Sequence, residues 1–185
     1  MQRFLIILIL FFSSFTFSDS KEVAIVVHGG AGWFENMPEE QVNGILEGLE
    51  NAMNIGYEIL SDGGSSLDAV EQAIIYLEDN ELFNAGKGAV YTSELRQELD
   101  ASIMYGLNND AGAVASVTNV KNPISLARYI MENTKHVMFS SKGAERLARD
   151  AGLEIVYPSY FYQKDRLQDA KNINDKNNKM GTVGV

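Results

Sequence analysis

The chemistry in this sequence starts from a hydroxyl residue set between small residues at the far end of a polar run. Gly181-Thr182-Val183-Gly184 follows Lys171-Asn172-Ile173-Asn174-Asp175-Lys176-Asn177-Asn178, a stretch with almost no apolar content. A threonine on such a leash can reach back with its hydroxyl to the carbonyl of Gly181. Once that peptide bond breaks, the freed α-amine of Thr182 can act as base for its own hydroxyl. An α-amine titrates near pH ~8, so much of it is neutral and able to take a proton at physiological pH. That is what a self-cleaving threonine hydrolase needs, although the four-residue string is common and specific to nothing by itself.

Three further constellations can do chemistry, and each has a plainer reading. His28-Gly29-Gly30-Ala31-Gly32 can bring backbone close to a substrate or to Thr182, because glycine tolerates unusual φ and close approach. Alone it reads better as a strand-ending turn, with His28 a structural histidine. Leu82-Phe83-Asn84-Ala85-Gly86-Lys87-Gly88 can curl so that several carbonyls face one centre, which suits a hard cation such as sodium or calcium. Its plainer reading is an irregular surface loop, with Asn84 either donating into a site or holding the loop. Glu98 and Asp100 offer paired acids. Exposed alternation along a strand is the commoner outcome, although Asp100 inside an apolar strand needs a partner.

The elements that must position these residues follow from periodicity. Val23-Ala24-Ile25-Val26-Val27 predicts a buried strand ending at the glycines. Val42, Ile45, Leu46, Leu49, Ala52, Met53, Ile59 and Leu60 recur at helical spacing until Asp62-Gly63-Gly64. Ser65 or Ser66 caps a second helix whose apolar face is Leu67, Val70, Ala73, Ile74 and Leu77. Leu99, Ala101, Ile103 and Tyr105 alternate with polar neighbours as in a half-buried strand, and residues 111–120 supply a second one. Asn122-Pro123 opens a helix to about Glu132, by the preference for proline in the first turn. A short strand at residues 136–139 and a helix at 141–151, ended by Gly152, come next. Residues 158–171 predict a last helix and 171–181 a mobile linker. Such a mixture suggests a layered α/β or α+β domain.

Composition limits the function classes. The formal net charge of −10 argues against nucleic acid and against acidic membrane surfaces. An apolar content of 45% is ordinary for a globular core, and no cysteine is present to form disulfides. Arg3, the apolar run Leu5 to Phe12 and the more polar, serine-rich stretch Ser13 to Ser20 form a secretory signal pattern, with cleavage after Ser18 or Ser20. The run is short for a membrane span, and an uncleaved anchor is the alternative. Residues 1–20 are therefore expected as a signal peptide and the location as secreted or periplasmic.

In series these blocks resemble the isoaspartyl peptidase/plant-type asparaginase family of N-terminal nucleophile hydrolases. The resemblance rests on Ile25 to Gly32, Gly64-Ser65-Ser66-Leu67-Asp68-Ala69-Val70, Leu82 to Gly86 with Gly88-Ala89-Val90, and Glu98-Leu99-Asp100-Ala101-Ser102-Ile103-Met104. It continues through Ala111-Gly112-Ala113-Val114-Ala115, Asn122-Pro123-Ile124-Ser125-Leu126-Ala127-Arg128 and Met180-Gly181-Thr182-Val183-Gly184, in the family's order.

The resemblance implies an α+β fold, the four-layer αββα sandwich, with residues 21–170 as the α-chain region, 171–181 leading to the cut and 182–185 as a stub of the β-chain. It implies self-cleavage between Gly181 and Thr182, Thr182 as nucleophile, and Asn84, Gly29 and Gly30 as active-site support. It implies no cofactor for catalysis, and a structural sodium ion on the main-chain carbonyls of Leu77, Glu78, Asn80, Phe83, Ala85 and Lys87. The family hydrolyses β-aspartyl dipeptides and L-asparagine to release L-aspartate, and its chains pair as an (αβ)₂ assembly. Its oxyanion threonine and glycine, and the arginine and aspartate that clamp the substrate, lie downstream of the nucleophile. The family also tends to have Ala after the glycine that Gly184 matches, where Val185 stands here. The expectation is an inactive fragment that lacks its β-chain region. A glycosylasparaginase-like amidase and a non-catalytic secreted α-chain-like binding module are the other readings; a protease of the threonine-aspartase type fits less well.

Overall fold

The computed structural model describes residues 22–30 and 37–180. The signal-like segment and the Gly181-Thr182 bond lie outside the described residues. The elements are α1 (Glu39–Ser61), α2 (Ser66–Glu78), a 3-10 turn (Gly86–Gly88), β1 (Leu99–Tyr105), β2 (Asp110–Val117), α3 (Pro123–Asn133), β3 (Met138–Ser140), α4 (Ser141–Asp150), a second 3-10 turn (Pro158–Phe161) and α5 (Lys164–Met180). No helix among the described residues is long and apolar enough to cross a membrane.

Local chemistry sets most boundaries. Ser65 caps α2, accepting from the amide of Asp68 at 3.1 Å. Pro123 opens α3, where its missing N–H leaves no further orphan donor. Gly63 and Gly152, both at positive φ, follow the ends of α1 and α4.

β1 and β2 pair antiparallel, and β2 and β3 pair parallel, in the order β1-β2-β3. Leu99 and Ile103 of β1 and Val114 and Val117 of β2 are buried on one face. Onto that face pack Ile124, Leu126, Ala127 and Ile130 of α3 and Ala144 and Ala148 of α4. Burying side chains of this size contributes roughly 1.5–3 kcal/mol each for the larger ones. A second cluster joins α1 and α2 through Ala52, Ala73, Leu77 and Phe83, and Ile74 touches both clusters. The described residues thus form an α+β arrangement with one three-stranded sheet, helices on its buried face, and Met104 exposed on the other.

Two sequence expectations are corrected. Residues 23–27 are extended but join no β-ladder among the described residues, and Val26 is 93% exposed. The apolar run reads as a two-faced buried strand only if neighbours cover both faces. Here Val23, Ile25 and Val27 are half-buried and Ala24 and Val26 are exposed, with Ile25 against Gly56 of α1 and Val27 in the second cluster. The other correction concerns the last helix, expected over 158–171. A 3-10 turn occupies Pro158–Phe161, and α5 starts at Lys164 and continues to Met180. No proline or glycine interrupts 164–180, a Gln168–Asn172 hydrogen bond links successive turns at 3.0 Å, and Asn174 donates to the carbonyl of Ser93 at 2.9 Å.

Candidate functional site

The glycine turn and the 77–88 loop come together through one aromatic ring. Phe83 is 3% exposed and lies against α1 at Gly48 and against Gly29; a Cβ on Gly29 would sit 3.0 Å from both the Phe83 and Leu49 side chains. Gly30 has a φ of 103°, the left-handed region that favours glycine. Its amide donates to Nδ1 of His28 at 3.1 Å. His28 therefore shapes the turn, as its plainer reading has it.

Asn84 follows Phe83 directly. Its Oδ1 accepts from the amide of Val90 at 3.0 Å, which closes the loop over the Gly86–Gly88 turn. Its Nδ2 has no partner among the described residues. The structure thus places Gly29 against Phe83, the residue that precedes Asn84. Gly181 and Thr182, expected as cleavage site and nucleophile, lie outside the described residues.

The expected cation ligands run from the last turn of α2 into the 3-10 turn. The chain folds back so tightly that a Cβ on Gly86 would collide with the carbonyl of Glu78. One on Gly88 would collide with the carbonyl of Phe83 and lie 2.5 Å from that of Glu81. Two of the expected ligand carbonyls, those of Glu78 and Phe83, thus face glycine positions that admit no side chain. The carbonyls of Leu77, Asn80 and Ala85 each accept one loop amide, from Asn80 and Phe83 at 3.3 Å and from Gly88 at 3.0 Å. Each carbonyl keeps a second lone pair for an ion.

Glu78 contributes more than a carbonyl. Its side chain is 3% exposed, and Oε1 accepts from the amide of Ile124 at 3.0 Å, capping α3 from 46 residues away. Burial pushes its carboxyl up to about 8, against the pull of the Ile124 amide. Oε2 of Glu78 and Nδ2 of Asn122 are both buried without a partner among the described residues; the amide is near enough to favour the charged form but outside bonding geometry. Sequence reasoning did not single out this side chain, since an acid at a helix end reads as a solvated charge.

The paired acids resolve to structure. Glu98 pairs with Arg96 at 2.7 Å. Asp100 accepts from the amide of Ser116 at 2.7 Å, where the β1–β2 register slips and Ser116 has a φ of 54°. Asp100 thereby finds its partner in the backbone of β2.

Arg128, at the end of the Asn122–Arg128 block, joins α3 to α2. It bonds Asp68 and Glu71 at 2.7 Å and Glu132 at 2.9 Å. Partial burial opposes its charge, but these bonds raise its affinity for the proton further still. Ser65, and then Arg128, hold Asp68 below the usual carboxylate range. A cavity of about 750 Å³ lies elsewhere, bordered by Tyr91, Arg96, Ser116, Thr118, Lys142 and Glu145. None of the expected glycine or cation-loop residues is among those that border it.

A family model described as asparaginase matches residues 21–184. A plant-type L-asparaginase of Pyrococcus horikoshii is 45% identical over 154 residues, 83% of this chain and 48% of that protein. An isoaspartyl peptidase/L-asparaginase of Xenopus laevis is 42% identical over 168 residues, 87% of this chain and 53% of its own length. A plant-type L-asparaginase of Pyrococcus furiosus reaches 50% over 138 residues, 75% of this chain and 43% of that one. The chain spans about half the length of the curated relatives it matches.

Proposed function

The chain belongs to the asparaginase family, and from that premise we propose that it forms part of a threonine-nucleophile amidohydrolase that releases L-aspartate from β-aspartyl dipeptides and L-asparagine. The observation that carries the reading is the reach of the family match, residues 21–184, through the Gly181-Thr182 bond.

The chemistry runs in two stages. In the first, Oγ of Thr182 attacks the Gly181 carbonyl carbon. A C–O bond forms, the peptide C–N bond breaks, and the hydroxyl proton ends on the departing nitrogen. Water then hydrolyses the ester, leaving a carboxyl on Gly181 and a free α-amine on Thr182. In the second stage that amine takes the hydroxyl proton as Oγ attacks the side-chain carbonyl of the substrate. The amine of the leaving group departs with a proton, and water hydrolyses the β-aspartyl ester to aspartate. Hydrogen-bond donors aimed at the tetrahedral oxyanion lower both barriers of that second stage.

Asn84 and the Gly29-Gly30 turn border the reacting atoms in this reading; Gly29 packs on Phe83, the residue that precedes Asn84. The carbonyls of Leu77, Glu78, Asn80, Phe83, Ala85 and Lys87 would hold a sodium ion, which supplies rigidity to the loop and no chemistry to the substrate. The substrate clamp and the second sheet of a four-layer sandwich come from a downstream β-chain region, with (αβ)₂ as the assembly. Export of the protein by residues 1–20 belongs to the same proposal.

The test uses the protein as its gene encodes it. Mass spectrometry should find a fragment beginning at Thr182, and β-aspartyl dipeptides should yield aspartate. Thr182→Ala should block self-cleavage and lower turnover by at least about 10⁴-fold, because one hydroxyl serves both stages. Thr182→Ser should keep some of each. A Thr182→Ala protein that still cuts itself and turns over at the parent rate rules the reading out.

A further inference from the structure

The segment between α4 and α5 grips the proposed cation loop at several points. Phe161, 1% exposed, is anchored in the main core, and its ring meets that of Tyr160 edge to face at 5.2 Å between centroids. The Tyr160 hydroxyl donates to Oδ1 of Asp79 at 3.4 Å. Asp79 lies between Glu78 and Asn80, two of the proposed carbonyl ligands. Nζ of Lys87, on a third such residue, stands 5.0 Å from the centroid of the Tyr160 ring. Three residues on, Gln163 donates its amide to the Tyr91 hydroxyl at 3.4 Å and Nε2 to Oε2 of Glu81 at 3.2 Å.

These contacts interleave with the carbonyl residues along the chain. An ion that fixes the carbonyls therefore also fixes the groups that hold Tyr160 and Gln163. Two of the three hydrogen bonds are long, so no single one dominates. Removing the Tyr160 side chain takes away the bond to Asp79 and the cation–π contact together. α5 begins at Lys164, directly after Gln163, and is the chain that leads to Gly181-Thr182.

We propose that Tyr160 and Gln163 are positioning residues that couple the cation loop to the root of α5, so that a monovalent cation in the loop speeds self-cleavage at Gly181-Thr182. The inference rests on the cation and self-cleavage readings above and adds the route between them. Coupling of this kind is reciprocal: what the ion does for the latch, the latch does for ion affinity.

The experiment measures melting temperature in sodium chloride and in choline chloride at equal ionic strength, on the gene-encoded protein kept uncut by Thr182→Ala. The parent should melt higher in sodium. Tyr160→Ala and Gln163→Ala should each shrink that sodium-dependent rise by half or more, and Tyr160→Phe, which keeps the ring, by less. Amide hydrogen exchange over residues 157–163 should slow in sodium in the parent and not in Tyr160→Ala. With Thr182 restored, the ratio of cleavage rates in sodium and choline should fall toward one in the same variants. Should Tyr160→Ala fail to fold, Tyr160→Phe and Gln163→Ala carry the comparison. A merely structural role lowers both melting temperatures equally and preserves the rise, which overturns the coupling while the cation reading stands. A parent without any sodium-dependent rise overturns the cation reading and the coupling with it.

Discussion

Replacing Glu78 by glutamine should flatten part of the protein's pH dependence. The folded chain holds this carboxyl at about 8, against an ordinary value of 4.5. The folded state therefore keeps a proton that the unfolded state releases. Stability from this group is complete below the ordinary value, falls as pH rises through the window between the two values, and is fully lost above about 8. At ~1.4 kcal/mol per unit, the loss between pH 5 and pH 8 is on the order of a few kcal/mol. Glutamine keeps an oxygen to accept from the Ile124 amide but has nothing to ionise. Its amide beside the orphaned Nδ2 of Asn122 costs about 1–3 kcal/mol, independent of pH. The variant should thus be less stable than the parent at pH 5 and equal or more stable at pH 8. Urea unfolding of the uncut protein at both values, compared as parent minus variant, reads this directly. Parallel losses in the two proteins refute a proton buried on Glu78.

The loop and the leader give two further expectations. Lys87→Ala removes a side chain but no carbonyl and should leave sodium affinity within about fivefold, since a half-buried cation–π contact such as this one contributes about 1 kcal/mol. A residue inserted after Phe83 should abolish sodium binding, and equal sodium-dependent thermal shifts in the two variants reject the carbonyl cage. N-terminal sequencing of exported protein should begin near Ser20 or Lys21, whereas a mature chain retaining Met1 rejects a cleaved leader.

Local signals were legible in the sequence, and distant partners were not. The Ser65 cap, the Pro123 start and the alternation from Leu99 to Tyr105 each act within a few residues, so a reading of neighbours finds them. The run at 23–27 shows the limit: apolar character fixes which side chains seek cover, not whether a neighbouring strand supplies hydrogen bonds. Asp100 needed a partner, but the bulge that turns the Ser116 amide toward it depends on pairing between strands. Glu78 looked like a carbonyl donor at a helix end, and only folding brings Ile124 to its side chain. Tyr160 and Phe161 looked like contacts within a last helix. They precede that helix, in a 3-10 turn, and face in different directions of use: one ring enters the core and the other meets the cation loop.

The length of α5 acts as a ruler. As helix, its 17 residues span about 25 Å. Drawn out, the same residues reach roughly 56–61 Å. Its few apolar side chains include Ile173, which is 57% exposed, so packing does little to favour the coiled form over the drawn-out one. The distance from Lys164 to Met180 is thereby set by a helix–coil balance, which temperature and salt both move.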